Sequence, residues 1–490
     1  MTEKLSDGVV RRRAKSGIFF VGSWGAMNLV VGFGGNLVLA RLLTPRDFGI
    51  VAIGATLMML TTSIADGGLG SGLIRLERTP ERRELKAALA LQLTLTGTLA
   101  VLAAGVGALV GGAGHVVALM MCALPIAALQ TPGRVMLSRA MRFKALSTVE
   151  AVANLAYYGW AIALVVAADA GVWALASAVV IRAVALAVGV SGIARLVLMP
   201  SYRGATALRD VIAFGLRFQG VSLAGMLREQ GLNAGVAAIS GVGTLGLWTL
   251  TKRLLEFPAL LFEPLHRVSF PVLSHMLAAK QDPARMLDRG VAVASTASGV
   301  VLVSMAAASP ELVPFLFGEQ WRPVGEILPW ICAALLVAGP LSVVAVGFLY
   351  ATNSPSVVLK ATILHSLVLF AVALPLLDVV GPAAIGMGSL AGAIVDAAIM
   401  ARAIHRRSSS RPLEGLLPTL AVAAIAAPAG LAVSAAAGPG VLAGIEAGFV
   451  AALVYGALLI AVRRAVVLDT LRMIRDAVRS GIGRETAPAA

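Results

Sequence analysis

Ala87-Ala-Leu-Ala-Leu-Gln-Leu-Thr-Leu-Thr-Gly-Thr-Leu-Ala-Val-Leu-Ala-Ala-Gly-Val-Gly-Ala-Leu-Val110 holds no charged residue. A helix of this length rises about 36 Å at 1.5 Å per residue, enough to cross ~30 Å of hydrocarbon. Arg75, Arg78, Arg82, Arg83 and Lys86 stand just before it, and the four residues after it, 111–114, carry no charge. One basic flank and one bare flank mark a membrane span whose basic end stays cytoplasmic.

Thirteen further stretches share this pattern. The fourteen expected spans are 15–40, 48–69, 87–110, 115–133, 146–168, 172–194, 211–238, 244–272, 291–308, 325–351, 357–377, 381–402, 415–435 and 439–462. Gaps 111–114, 169–171, 239–243, 378–380 and 436–438 contain no Lys or Arg, whereas the alternate gaps and the two ends hold thirty-one of the 40 basic residues. Both termini are therefore expected in the cytoplasm, which an even number of spans satisfies. Arg11, Arg12, Arg13 and Lys15 imitate a signal peptide, but the apolar run after them is too long for one and reads as an uncleaved first span.

The composition excludes other classes. Hydrophobic residues make up 58% and charged residues 13%, with a mean hydropathy of +0.89, against about 25% charge in a soluble domain. The net charge of +15 sits at span ends, so it reads as topology and attraction to anionic lipid headgroups rather than nucleic-acid binding. Cys122 and Cys332 lie within spans and give no disulfide framework. The five His show no metal-ligand spacing. None of the seven Lys follows Gly, so there is no phosphate loop for ATP, and no His-Glu-x-x-His occurs. No cofactor and no in-chain energy source are expected.

The expected fold is an all-α polytopic membrane protein with two pseudo-symmetric six-helix lobes and two extra helices. Residues 1–14 form a cytoplasmic start, 15–200 the first lobe and 201–410 the second. Spans 13 and 14 occupy 411–462, and 463–490 form a tail. A short repeat supports this symmetry: Phe48-Gly-Ile-Val-Ala-Ile53 opens span 2 and Leu245-Gly-Leu-Trp-Thr-Leu250 opens span 8. Six helices separate the two copies, so the lobes share one orientation. In the tail, Val467, Leu471, Ile474 and Val478 recur at helical spacing among Arg472, Arg475 and Arg479; this is a surface-lying amphipathic helix. Residues 484–490 read as disordered.

Charge inside a span is costly and by default faces a bundle interior or a wet cavity. On span 7, Arg217 and Arg228 are eleven residues apart and fall on one line, with Gly220, Val221 and Ala224 between them. On span 8, Lys252, Glu256, Glu263 and Arg267 share a face, with Arg253 to the side. Arg182 adds a positive charge in span 6. Taken together these groups, Arg217, Arg228, Lys252, Arg253, Arg267 and Arg182, suit an anionic substrate such as a diphosphate. One charge at the bilayer centre costs ~3 kcal/mol or more, and an Arg within 4 Å returns about 4 kcal/mol at an effective dielectric of 20. The same charges also suit a second role: ion pairs that lock helices together, with Lys252 and Arg267 snorkelling to the interface. Pro258, Pro264 and Pro271 are candidate breaks in span 8.

Leu39-Ala-Arg-Leu-Leu-Thr-Pro-Arg-Asp-Phe-Gly-Ile-Val-Ala52 and Asp66-Gly-Gly-Leu-Gly-Ser-Gly-Leu-Ile-Arg75 resemble the polysaccharide transporter family. That family holds the Wzx-type and teichuronic-acid-type exporters of the multidrug/oligosaccharidyl-lipid/polysaccharide (MOP) flippase superfamily. Arg267-Val-Ser-Phe-Pro-Val-Leu-Ser274 and Gly318-Glu-Gln-Trp321 extend the likeness over roughly residues 10–400. The resemblance implies two lobes alternating access to a central cavity in the bacterial inner membrane. It also implies an undecaprenyl-diphosphate-linked glycan moved outward, with the polymerase and glycosyltransferases of the same pathway as partners beside membrane lipids. Lipid II flippases of this group use spans 13 and 14 as a groove for the lipid tail. Asp47 is expected to cap span 2 rather than touch substrate. The rival readings are a cation-coupled multidrug exporter, which would show an acid-dominated cavity, and a membrane polymerase or ligase, which would need a substantial outer loop.

Overall fold

The computed structural model describes residues 28–482, except 29, 77, 209–210 and 213–219. Residues 1–27 and 483–490 lie outside the described set, and so do the basic start, the first half of span 1 and the end of the tail. Eighteen α-helices carry the described chain: α1 Val30–Leu42, α2 Pro45–Asp66, α3 Leu69–Arg75, α4 Arg82–Val110, α5 Ala113–Met121, α6 Ala123–Ala128, α7 Thr131–Arg139, α8 Phe143–Ala168, α9 Val172–Ala194, α10 Gly220–Ile239, α11 Gly241–Ala259, α12 Glu263–Ala278, α13 Ala284–Phe317, α14 Arg322–Ala351, α15 Pro355–Val380, α16 Ala383–His405, α17 Pro412–Ala437 and α18 Val441–Ile482. Ten of these are long and apolar enough to cross a membrane: the expected spans 2, 3, 5, 6 and 9–14. This is an all-α, multi-pass membrane protein.

Two expected spans are not single rods. Span 4 runs as Ala113–Ala128 and then Thr131–Arg139, bent by 47° at the break. Pro132 sits in the first turn of α7, where its missing N–H is tolerated but a helix entering from before it is not. Span 8 is divided into α11 and α12. Pro258 lies inside α11, and the chain then tightens through i→i+3 bonds from the N–H of Leu260, Leu261 and Phe262 to the carbonyls of Phe257, Pro258 and Ala259, at 3.2, 3.1 and 3.0 Å. Pro264 opens α12. The face expected to run from Lys252 to Arg267 therefore does not continue across the break.

The start of span 2 is also corrected. Thr44, not Asp47, is the N-cap, and Pro45 is the first helical residue. Asp47 closes a capping box, its Oδ2 accepting from the Thr44 N–H at 2.9 Å and hydroxyl at 2.7 Å. The Thr44-Pro-Arg-Asp47 motif is thus a helix start, a structural role.

By internal packing the chain divides into two units, Met1–Ala237 and Ala238–Ala490. In the first, Ser63, Gln230 and Asn233 make side-chain contacts of 3.1 Å with Met226, Met59 and Thr56, tying α10 to α2. The Arg139 guanidinium collects the carbonyls of Leu73, Ile74, Leu76 and Arg78 at 2.7–3.0 Å, capping the end of α3. Arg78 grips the buried Glu84 through both guanidinium nitrogens at 2.9 and 2.5 Å, and this carboxylate raises the Arg78 pKa.

Small residues let helices approach in the second unit. A Cβ on Gly430 of α17 would sit 2.6 Å from the Ala447 carbonyl, 2.7 Å from Ala307 and 2.8 Å from Ala451, so α13, α17 and α18 meet there with no space to spare. A Cβ on Gly299 would lie 1.9 Å from the Tyr455 hydroxyl. Tyr455 is fully buried, and its Oη donates to the Ser295 carbonyl at 3.2 Å. Helix α18 turns sharply at Arg463, whose φ of −142° and ψ of 46° leave the helical region.

Candidate functional site

In the second unit, α12, α13 and α14 enclose a cavity of about 670 Å³. Its wall is apolar: Leu273 and Met276 from α12, Met286 and Val293 from α13, Val343 and Val344 from α14. On α13, Met286, Arg289, Gly290 and Val293 recur at i, i+3, i+4 and i+7, as one facing stripe requires. Gly290 lets α13 close on α14, since a Cβ there would stand 3.1 Å from Val344.

Three charged residues line the same cavity: Asp282, Arg285 and Arg289. Asp282 is engaged, accepting from the Ala284 N–H at 3.0 Å and the Ser409 hydroxyl at 3.1 Å. Arg289 is held by Asp469 of α18 in a two-pronged pair, Nε and Nη2 each at 2.6 Å. Arg285 is exposed, and no ion pair to it occurs among the described residues. An apolar chamber ending in a guanidinium fits an amphiphile with an anionic head.

A second chamber of about 350 Å³ lies among α13, α14, α16 and α17. Leu302, Leu336, Leu390, Ala423 and Ala427 are among its lining residues, and among the described residues the side-chain N–H and S–H groups on it come from Trp330 and Cys332. Burial pushes the local surroundings toward pure hydrocarbon contact.

The residues expected from the sequence are distributed as follows. Arg217 lies outside the described residues. Arg228 is half-buried on α10, about 200° round the helix from Met226 and so off the face that packs on α2. Lys252 is half-buried on α11, with its Nζ 5.8 Å from the Trp248 ring centroid. Arg253 is exposed and pairs with Glu256 at 3.3 Å. Arg267 lies on α12, with its side chain outside the described residues. Arg182 is exposed on α9, its Nε donating to Asn154 Oδ1 at 2.9 Å, and Asn154 in turn reaches Asn28 at 3.3 Å. Lys252 and Arg253 are neighbours on one helix; Arg182 and Arg228 belong to the first unit.

Sequence reading passed over Arg285 and Arg289, counting them only as basic flank. Their signal was a spacing of four with Met286, Gly290 and Val293 interleaved, which places guanidinium groups at the end of an apolar stripe.

Residues 38–326 match the family model described as "Polysaccharide biosynthesis protein". The chain belongs to that family. A curated relative is the succinoglycan biosynthesis transport protein ExoT of Rhizobium meliloti (strain 1021). It is 23% identical over 319 residues, 62% of this chain and 63% of that relative's length. Among solved structures, the fold is similar to the lipid II flippase MurJ in an inward closed conformation, with a TM-score of 0.70 and 12% identity over 92% of this chain and all of that one. An inward-facing multidrug resistance MATE family transporter of the MOP superfamily gives a TM-score of 0.59 and 15% identity, over 78% of this chain and 94% of that one. These two structures share the fold of this chain.

Proposed function

We propose that this protein carries an undecaprenyl-diphosphate-linked oligosaccharide outward across the bacterial inner membrane by alternating access, with both termini cytoplasmic. The observation that carries this reading is the second-unit cavity, where a long apolar wall ends at Arg285 and Arg289. Hydrocarbon contact holds an isoprenoid chain at about 25 cal/mol per Å² buried. A guanidinium offers the diphosphate a planar, charge-assisted grip. The relatives' names, succinoglycan transport and lipid II flipping, agree with such a cargo.

In this reading the lobes are residues 15–200 and 201–410, and the apolar chamber bordered by α17 accommodates the lipid tail. Arg217, Arg228, Lys252, Arg253, Arg267 and Arg182 remain the diphosphate ligands proposed from the sequence, and Arg285 joins them from the second-unit cavity. The chain acts as a transporter rather than an enzyme, handing its cargo from glycosyltransferases to a polymerase. A drug exporter for cations would place free carboxylates in the chamber, whereas Asp282 is engaged and the flanking groups are Arg.

The test is complementation. In a strain lacking the chromosomal copy, Arg285→Ala should lower surface polysaccharide about tenfold, as expected for one charge-assisted contact of about 1.5 kcal/mol. Protein level should stay unchanged and lipid-linked precursor should accumulate. Wild-type polysaccharide in both Arg285→Ala and the double variant Arg217→Ala/Arg228→Ala would reject these side chains as diphosphate ligands.

A further inference from the structure

The first unit contains a polar cavity of about 280 Å³ that the transport reading does not use. Its lining includes Asp66 at the end of α2, Gln92 and Thr96 on α4, and Gln130 in the 47° bend before α7. Gln92 is 5% exposed. Its Nε2 donates to Asp66 Oδ1 at 3.3 Å, which fixes the amide, because a flipped amide would set two acceptors against each other. Gln92 Oε1 is then a buried acceptor with no protein donor, and Gln130 Oε1 is another.

Asp66 Oδ1 also accepts the Gly70 N–H at 3.1 Å. No ion pair to Asp66 occurs among the described residues. The cation beside it, Arg134, is paired with Glu150. One cavity is therefore lined by a half-buried carboxylate at the end of α2 and by two amide side chains whose oxygens are buried without a donor.

We infer that Asp66, Gln92 and Gln130 form a binding site for a monovalent alkali cation of the sodium class. Hard oxygen donors suit a hard cation, and a single carboxylate balances a single charge. Among the described residues no group of three His, Cys, Asp or Glu forms a metal cluster, so a divalent or transition metal is poorly served. A proton on Asp66 would supply one donor and still leave an amide oxygen unmet. Water supplies donors but leaves the carboxylate charge in place. An alkali cation satisfies all three groups and joins α2, α4 and the α6–α7 bend into one body. The site stands whatever the transported cargo.

The experiment uses the full-length protein in nanodiscs at constant ionic strength, with sodium chloride exchanged for choline or potassium chloride. Sodium should raise the Tm saturably by a few degrees, as a ligand that binds only the native state does. Asp66→Asn and Gln92→Leu should abolish that rise while keeping a cooperative transition in choline. Sodium-23 relaxation on the unaltered protein gives a second readout independent of any variant. A Tm that ignores the cation in wild type, or a rise that survives both substitutions, overturns the site. Stabilisation that follows pH but not sodium overturns it in favour of proton binding.

Discussion

The two units divide polar and apolar space differently. The first mixes them in one chamber of about 280 Å³ edged with Asp66, Gln92, Thr96 and Gln130 as well as Leu124 and Val135; the second separates them, with chambers of about 670 and 350 Å³ walled mostly by Leu, Val, Met and Ala and another of about 270 Å³ lined by charges, among them Asp288, Arg411 and Asp469. Room for a side chain differs position by position: a Cβ on Gly105 of α4 meets nothing within 4 Å, whereas Gly299 and Gly430 of the second unit have no room for one.

The largest test of this contrast is Gly430→Val. Overpacking at the meeting of α13, α17 and α18 should cost about 3 kcal/mol, read as lost folded yield by size exclusion, while Gly105→Ala in the first unit should leave yield intact. If both variants behave alike, the packing contrast fails. Next, Ala427→Asp would put a carboxylate into the hydrocarbon-walled chamber at about 3 kcal/mol. Surface polysaccharide should fall roughly a hundredfold at unchanged protein level, whereas the same charge is already accommodated at Asp66. Glu84→Gln in the first unit removes the charge behind the Arg78 grip and should lower stability by about 1.5–3 kcal/mol, measured as a Tm shift. Smallest is Arg253→Ala: its pair with Glu256 is half exposed on both sides, so the Tm should move by the equivalent of about 0.5 kcal/mol or less.

Much of this architecture was legible because hydrocarbon imposes a simple length and charge code. Ala87–Val110 and its basic flank sufficed to read α4, and the same code locates the other long spans. The breaks were harder. Pro258 and Pro264 flagged span 8, yet a proline kinks or breaks a helix according to the neighbours that re-satisfy the freed carbonyls, and these are tertiary. In span 4, Pro132 carried the same ambiguity. Asp47 was read as a cap when Thr44 takes that position, a shift of three residues that the capping box itself makes easy, since both side chains bond the other's backbone. Site residues were least legible. Arg285 was counted only as basic flank, and Gln92 drew no reading in the 87–110 run. Only the fold shows that one edges a chamber and that the other shares a cavity with Asp66.

The corner at Arg463 has a mechanical consequence. Its guanidinium grasps the Glu414 and Gly415 carbonyls at 2.5 and 2.9 Å, and six residues on Asp469 clasps Arg289. The last helix is thereby buckled to the first turn of α17 and the first turns of α13, like a strap fastened at two points. Any rearrangement that parts those helices must unfasten one buckle, so Asp469→Asn should free α18 to swing from α13 while its hold on α17 remains.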